Sequence, residues 1–338
     1  MNLSSLISLL STLLLTTPVI LPAADWVTYE AMSGPGHGKH IVFISGDDEY
    51  RSEEALPMLA KILAMRHGFK CTVLFPINPA DGNIVPDLHT NIPGLAALDS
   101  ADLCVMLLRF RELPDDQMRH FVDYLNAGKP IIALRTSTHA FSYEHDKSSP
   151  YAKYDWHSKD WPGGFGQQVL GETWVDHHGI HGKQSTRGEI NSAFKDLPIL
   201  RGVSDIWVPS DVYSVKHLPS DAKVLMYGRV LSDMKPSSPP LEGPKNDPMM
   251  PIAWTRNYTG ENGKTSKILT TTMGAAVDLE NEGLRRFLVN ACYWATGLET
   301  SIPAQNNVDC VGPYKPTWFG FGKFKPGLKP ESFAIQWK

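Results

Sequence analysis

Lys129–Phe141 reads K-P-I-I-A-L-R-T-S-T-H-A-F. Its first half is a short apolar run, the pattern of a strand buried in the centre of a sheet. Its second half turns polar and places Arg135, Thr136, Ser137, Thr138 and His139 within five positions. In an open parallel α/β sheet, ligands bind just beyond the carboxyl ends of the strands. A cation, hydroxyls and an imidazole at one strand end therefore mark a candidate site, because Arg and His are costly to bury together without a task. The competing reading is that these residues cap the strand and tie a loop.

The same grammar repeats upstream. His40–Ser45 is an apolar strand that ends in Gly46-Asp47-Asp48-Glu49-Tyr50-Arg51. Ser52, Glu53 and Glu54 then open a helix with Leu56, Leu59, Ile62 and Leu63 on one face and Gly68 at its stop. Pro57 is expected to delay its regular part. Cys71–Phe75 is the second strand, and Leu103–Leu108 is the third, ending in Arg109-Phe110-Arg111. Pro114 starts a helix carrying Met118, Phe121, Val122 and Leu125, closed by Gly128. Strands alternating with helices predict an α/β fold, a doubly wound and mostly parallel sheet with helices on both faces. Further strands are expected at 205–208, 211–215, 224–229, 252–258 and 267–272, followed by a closing helix over 281–296.

The chain has 338 residues, 42% of them hydrophobic, and a formal net charge of −4. That is ample for a large core and gives no basic footprint for nucleic acid. Residues 1–24 are Leu-rich and uncharged and end in Pro22-Ala23-Ala24, which reads as a signal peptide and export to the periplasm or beyond the cell. The n-region departs from that pattern in carrying no Lys or Arg, and an uncleaved anchor is the alternative. After cleavage no membrane span is expected. Residues 25–39 read as a linker, and 299–338 as an irregular, aromatic tail wrapping the domain. The four cysteines read as buried thiols, with a Cys292–Cys310 disulfide as the alternative.

Three clusters carry chemistry. His177-His178-Gly179-Ile180-His181 is rich in imidazole, but Gly179 and the missing Glu argue against a helical zinc-protease motif. Acid–base work or substrate binding is one reading, and a satisfied structural cluster is another. No cofactor is favoured; zinc or another divalent metal held by His177, His178 and His181, with Asp176 or Glu172, is the alternative. Crowded carboxylates at Asp47, Asp48 and Glu49 push one pKa upward and suit a general base, or they cap the following helix. Arg109, Arg111 and Arg135 at strand ends favour an anionic or polyhydroxyl ligand, or they pair with those acids. The long loop 142–166 offers Tyr151, Tyr154, Trp156 and Trp161 as flat walls for sugar rings, or as packing of a surface loop. No nucleophile elbow and no dinucleotide fingerprint is present.

The order of H-I-V-F-I-S-G-D-D-E-Y, R-T-S-T-H-A-F, G-E-T-W-V-D-H-H-G-I-H, P-I-A-W-T-R-N-Y and K-I-L-T-T-T-M-G-A-A resembles the ThuA-like (trehalose-utilisation) family over residues 40–298. It is most similar to exported, planctomycete-type members. The resemblance implies a flavodoxin-like, class I glutamine-amidotransferase-like fold with added C-terminal strands, and a role in carbohydrate metabolism. Arg135 and Thr136 stand where the amidotransferase cysteine would fall, which argues against glutaminase activity. The family's two histidines map to His139 and to His177 or His178. The expected activity is acid–base chemistry on a small sugar or keto-sugar by hydrolysis, elimination or isomerisation. His139, His178 and Glu49 are the expected catalytic groups. Asp48, Tyr50, Arg109, Arg135, Thr136, Trp174, His177 and Arg256 are the expected substrate binders. A non-catalytic sugar-binding or envelope module and a metal-dependent hydrolase are the alternatives. Homo-oligomerisation is left open.

Overall fold

The computed structural model describes residues 24–335, so the expected signal peptide lies outside the described residues except for Ala24. Ten strands form one sheet: β1 (Trp26–Tyr29), β2 (His40–Gly46), β3 (Lys70–Leu74), β4 (Leu103–Leu108), β5 (Ile131–Leu134), β6 (Thr186–Ile190), β7 (Trp207–Val208), β8 (Lys223–Val230), β9 (Met250–Thr259) and β10 (Thr265–Thr271). Among the described residues three α-helices accompany them: α1 (Ser52–His67), α2 (Asp115–Asn126) and α3 (Glu282–Ala295). The strand order is β1-β3-β2-β4-β5-β10-β9-β8-β6-β7. The block β3-β2-β4-β5-β10 is parallel throughout. The added strands β9, β8, β6 and β7 continue it antiparallel, and β1 closes the other edge antiparallel.

Strands β4 and β5 are apolar at every position, and the middle of β2 nearly so, because both faces of the sheet are covered there. Ile41 and Phe43 of β2, with Leu103, Val105 and Leu107 of β4, pack on the side of α1 and α3. Val42, Ile44, Cys104, Met106 and Leu108 point the other way, onto Met118, Phe121 and Leu125 of α2. This two-residue alternation fixes the register and brings the ends of β2, β4 and β5 to one rim.

Three local expectations are corrected. The segment 25–39 is not only a linker: Trp26–Tyr29 pairs with β3. Helix α1 is regular from Ser52 and carries Pro57 inside it. It is buried on nearly every side because the tail covers its outer face, where the Glu54 carboxylate accepts from Thr317 N and Oγ1. Residues 211–215 form no regular strand; an isolated antiparallel bridge, His177–Tyr213, and backbone bonds from His178 and Gly179 to the Val212 carbonyl and from Ser214 to the Asp176 carbonyl tie them to the histidine segment. The cysteines agree with the thiol reading and not with its disulfide alternative: Cys71, Cys104 and Cys292 are buried free thiols, and Cys310 is a partly exposed one.

The tail is irregular and closely applied. Phe333 stacks on Phe75 with ring centroids 5.5 Å apart. Tyr314 donates to the carbonyl of Ala276 at 2.7 Å. No helix among the described residues is long and apolar enough to cross a membrane.

Candidate active site

Three strand ends build the site, and each turns through a strained residue. Among the described residues, four non-glycine residues have positive φ: Arg51, Phe110, Arg135 and Asp205. The first three follow β2, β4 and β5. Left-handed backbone at bulky side chains is unfavourable and clusters where function holds it.

The loop after β2 is tied by Asp47. Its carboxylate accepts from the backbone N–H groups of Glu49 and Tyr50 and from the Thr136 hydroxyl. Burial, then the neighbouring Asp48, raises its pKa. Asp48 is the opposite case. Burial works to raise it, but His89 and Arg109 overcome this and hold it at about 2. Arg109 Nη1 donates to both Asp48 oxygens, at 3.0 and 3.2 Å. Glu49 is raised by burial and by Asp47, against the pull of Arg135 and His181.

Glu49, Arg109, Phe110, His139, Trp174, His177 and Tyr213 line one small cleft of about 50 Å³. His139 is buried, and burial followed by the Arg109 and Arg135 charges drives its pKa well below the usual value. Its imidazole is therefore neutral, ringed by Phe110 at 5.1 Å, Trp174 at 5.6 Å and Trp156 at 6.0 Å between centroids. His177 Nδ1 lies 2.7 Å from Asp211 Oδ2, which leaves Nε2 as its free nitrogen. His181 Nδ1 lies 3.2 Å from Asp211 Oδ1, and its Nε2 lies 3.3 Å from Glu49 Oε1. Burial opposes ionisation of Asp211, yet Arg135 and the two imidazoles hold its carboxyl far below the carboxylate range.

Several expected site residues lie elsewhere. His178 is not in the cleft: its Nε2 lies 2.8 Å from the Lys245 carbonyl, and its backbone N–H donates to Val212. One residue of chain reverses the side-chain direction, so His177 faces inward and His178 outward. Arg135 is fully buried and binds protein instead of ligand, donating to Asp211, to the Thr272 carbonyl and to the Tyr50 hydroxyl. Thr136 is used up on Asp47. Tyr50 is fully buried beneath the cleft, its hydroxyl 3.3 Å from His181 Nδ1. Arg256 donates to the Gln168 carbonyl and lies 3.5 Å from Asp221, away from the cleft. Arg111 is buried and ties the carbonyls of Pro86 and Leu88. Of the four loop aromatics, Trp156 reaches the site, while Tyr154 and Trp161 pack on each other at 5.2 Å.

The donor set able to hold a divalent ion is His177, His181 and Asp211, whose ligand atoms lie within 4.8 Å of one another. His178 does not belong to it. Each Asp211 oxygen already accepts a hydrogen bond in this arrangement.

Asp211, Tyr213 and Phe110 belong to the site although the strand patterns at 109–111 and 211–215 do not mark them as site residues. Asp211 had a signal: a lone acid opening a short apolar run directly after the Pro209-Ser210 break.

The ThuA (trehalose utilisation) family profile matches residues 41–295. The chain belongs to that family, and a general role in carbohydrate utilisation comes with it. No curated protein matches significantly. Among solved structures, a ThuA-like protein from Parabacteroides merdae is 14% identical, with 76% of this chain and 90% of that chain covered and a TM-score of 0.48. A ThuA-like protein from Bacteroides uniformis is also 14% identical, covering 81% and 95%, with a TM-score of 0.48. The glutaminase domain of Trypanosoma brucei CTPS with bound acivicin is 10% identical, covering 81% and 98%, with a TM-score of 0.35.

Proposed function

We propose that this protein is an exported enzyme that moves protons on a sugar or keto-sugar. One observation carries the reading. A carboxyl group with a raised pKa, a neutral buried histidine and a carboxylate-oriented histidine share a single cleft with Arg109 and an aromatic wall. Groups of differing proton affinity held side by side are what acid–base catalysis requires.

His177 Nε2 is the base, because Asp211 occupies Nδ1, fixes the ring and stabilises the imidazolium that forms. It takes a proton from the carbon next to the ketone. The C–H electron pair becomes the C=C bond of an enediol, and Glu49 gives its proton to the carbonyl oxygen. His139 and Arg109 bind neighbouring sugar oxygens. Isomerisation follows if the proton returns at the adjacent carbon, and elimination follows if a β-substituent leaves. The Leu-rich leader supports export.

The test is deuterium wash-in. A keto-glucoside incubated with the protein in D2O should exchange the hydrogen next to the ketone, as read by NMR. His177→Ala and Glu49→Gln should lose at least about a hundredfold in rate. Exchange that survives both substitutions sinks the assignment.

A second reading is favoured by the His177, His181 and Asp211 donor set. These residues would hold a divalent ion in a hydrolase. Stoichiometric metal in protein purified without chelators, lost in His177→Ala/His181→Ala, would move the reading there.

A further inference from the structure

The cleft of about 50 Å³ is far below the roughly 300–1,000 Å³ of ordinary small-molecule sites. It takes the reacting edge of a sugar, and the rest of the ligand must lie outside it. The surface there is built by the C-terminal tail. Phe319 is buried, its ring 5.4 Å from Tyr50 and 5.2 Å from His181. Phe321 is 58% exposed, with its ring centroid 4.7 Å from the guanidinium carbon of Arg109. The same guanidinium lies 4.4 Å from the Phe110 ring, and Phe110 lies 5.3 Å from Trp156. Phe321, Arg109, Phe110 and Trp156 therefore form one continuous wall from the tail into the cleft.

The tail segment is pinned at several points. Glu54 accepts from Thr317 N at 2.6 Å and lies 3.1 Å from Lys325 Nζ. Gly320 N donates to the Glu49 carbonyl at 2.8 Å, and Arg51 donates to the Gly320 carbonyl at 3.1 Å. Gly320 has φ 140°, a backbone conformation that favours glycine. The chain is thus fastened to the very residue that supplies the proposed acid. A rigidly held, water-exposed aromatic face next to guanidinium donors suits the apolar face and hydroxyls of a pyranose.

We propose that residues 317–325 build an outer sugar subsite, with Phe321 as its platform, so that the ligand carries at least two rings. This rests on the carbohydrate reading above. The occupant is a sugar in preference to a protein because the platform runs into the cleft through Arg109.

The experiment uses the mature full chain. Methyl α-glucoside serves as a one-ring probe, and trehalose, maltose and cellobiose serve as two-ring probes, all titrated by calorimetry. At least one two-ring probe should bind more tightly than the one-ring probe. Phe321→Ala should weaken that probe roughly five- to tenfold while the one-ring affinity stays within about twofold. Phe321→Trp should restore it. Equal losses for both probes, or no loss, overturn the subsite. So does a change in sedimentation alone, which would make Phe321 a contact between copies. Wild-type protein that binds the one-ring probe as tightly as every disaccharide removes the subsite and keeps the carbohydrate reading. Wild-type protein that binds neither class but still exchanges the keto-glucoside removes the subsite alone, and one that neither binds nor exchanges removes both.

Discussion

Arg135 Nη2 lies 2.8 Å from Asp211 Oδ1, and both side chains are fully shielded from solvent. The pair joins the end of β5 to the histidine segment. Asp211 in turn aims His177 and His181, so a buried ion pair sets the geometry of the cleft without touching it. Asp211→Ala leaves a guanidinium buried without its counter-charge, which costs about 3–5 kcal/mol. Thermal unfolding should show that loss. Asp211→Asn keeps the shape but removes the charge that supports the imidazolium, so exchange should fall roughly 10²–10⁴-fold with a smaller loss of stability. An Asn variant with full exchange would reduce Asp211 to a structural role.

His177 and His178 make a matched control one residue apart. His178→Ala breaks a bond to the Lys245 carbonyl, worth about 0.5–1.5 kcal/mol, and should leave exchange within about twofold of wild type. His177→Ala removes the ring that Asp211 orients and should lose exchange almost completely. Comparable losses in both variants would mean the segment acts as a unit.

Much of this fold was legible because the parallel core obeys local rules. Mostly apolar segments of four to seven residues mark β2, β3, β4 and β5, and glycine stops mark the helices between them. The polar strand ends were legible as a group, but their directions were not. Arg135 and Arg109 look alike in sequence, and only the packing of the chain decides that Asp211 buries one while Asp48 holds the other at the cleft. The histidine run failed for a similar reason. Outside a regular helix or strand, no period says which of His177, His178 and His181 faces inward. Tail residues such as Phe321 carry no local signal at all, since they meet β4's end across more than two hundred residues of sequence.

The cysteines give a direct check on packing. Cys71, Cys104 and Cys292 are buried, and burial raises each thiol well above its ordinary value. Only Cys310 is partly exposed. Under native conditions a thiol reagent should modify about one cysteine per chain quickly, and all of them only in denaturant. Fewer than the full complement in denaturant without reductant would reveal a disulfide, with Cys292 and Cys310 the pair to examine.

Glu53 predicts a pH dependence of unusual sign. It is fully buried, its two oxygens have no hydrogen-bond partner, and the nearest cation atom, Arg51 Nε, is 3.7 Å away. Burial, opposed in part by Arg51, lifts its pKa from 4.5 to about 8. The folded chain therefore keeps a proton that the unfolded chain releases. The stability this group contributes is complete below about pH 4.5, declines as pH rises through that window, and levels off above about pH 8. Glu53→Gln fixes the neutral form and removes the slope. Urea unfolding at about pH 5 and about pH 8.5 should show the variant gaining on wild type as pH rises. A difference between the two proteins that is the same at both pH values would mean that Glu53 is ionised in the fold and that Arg51 compensates its charge.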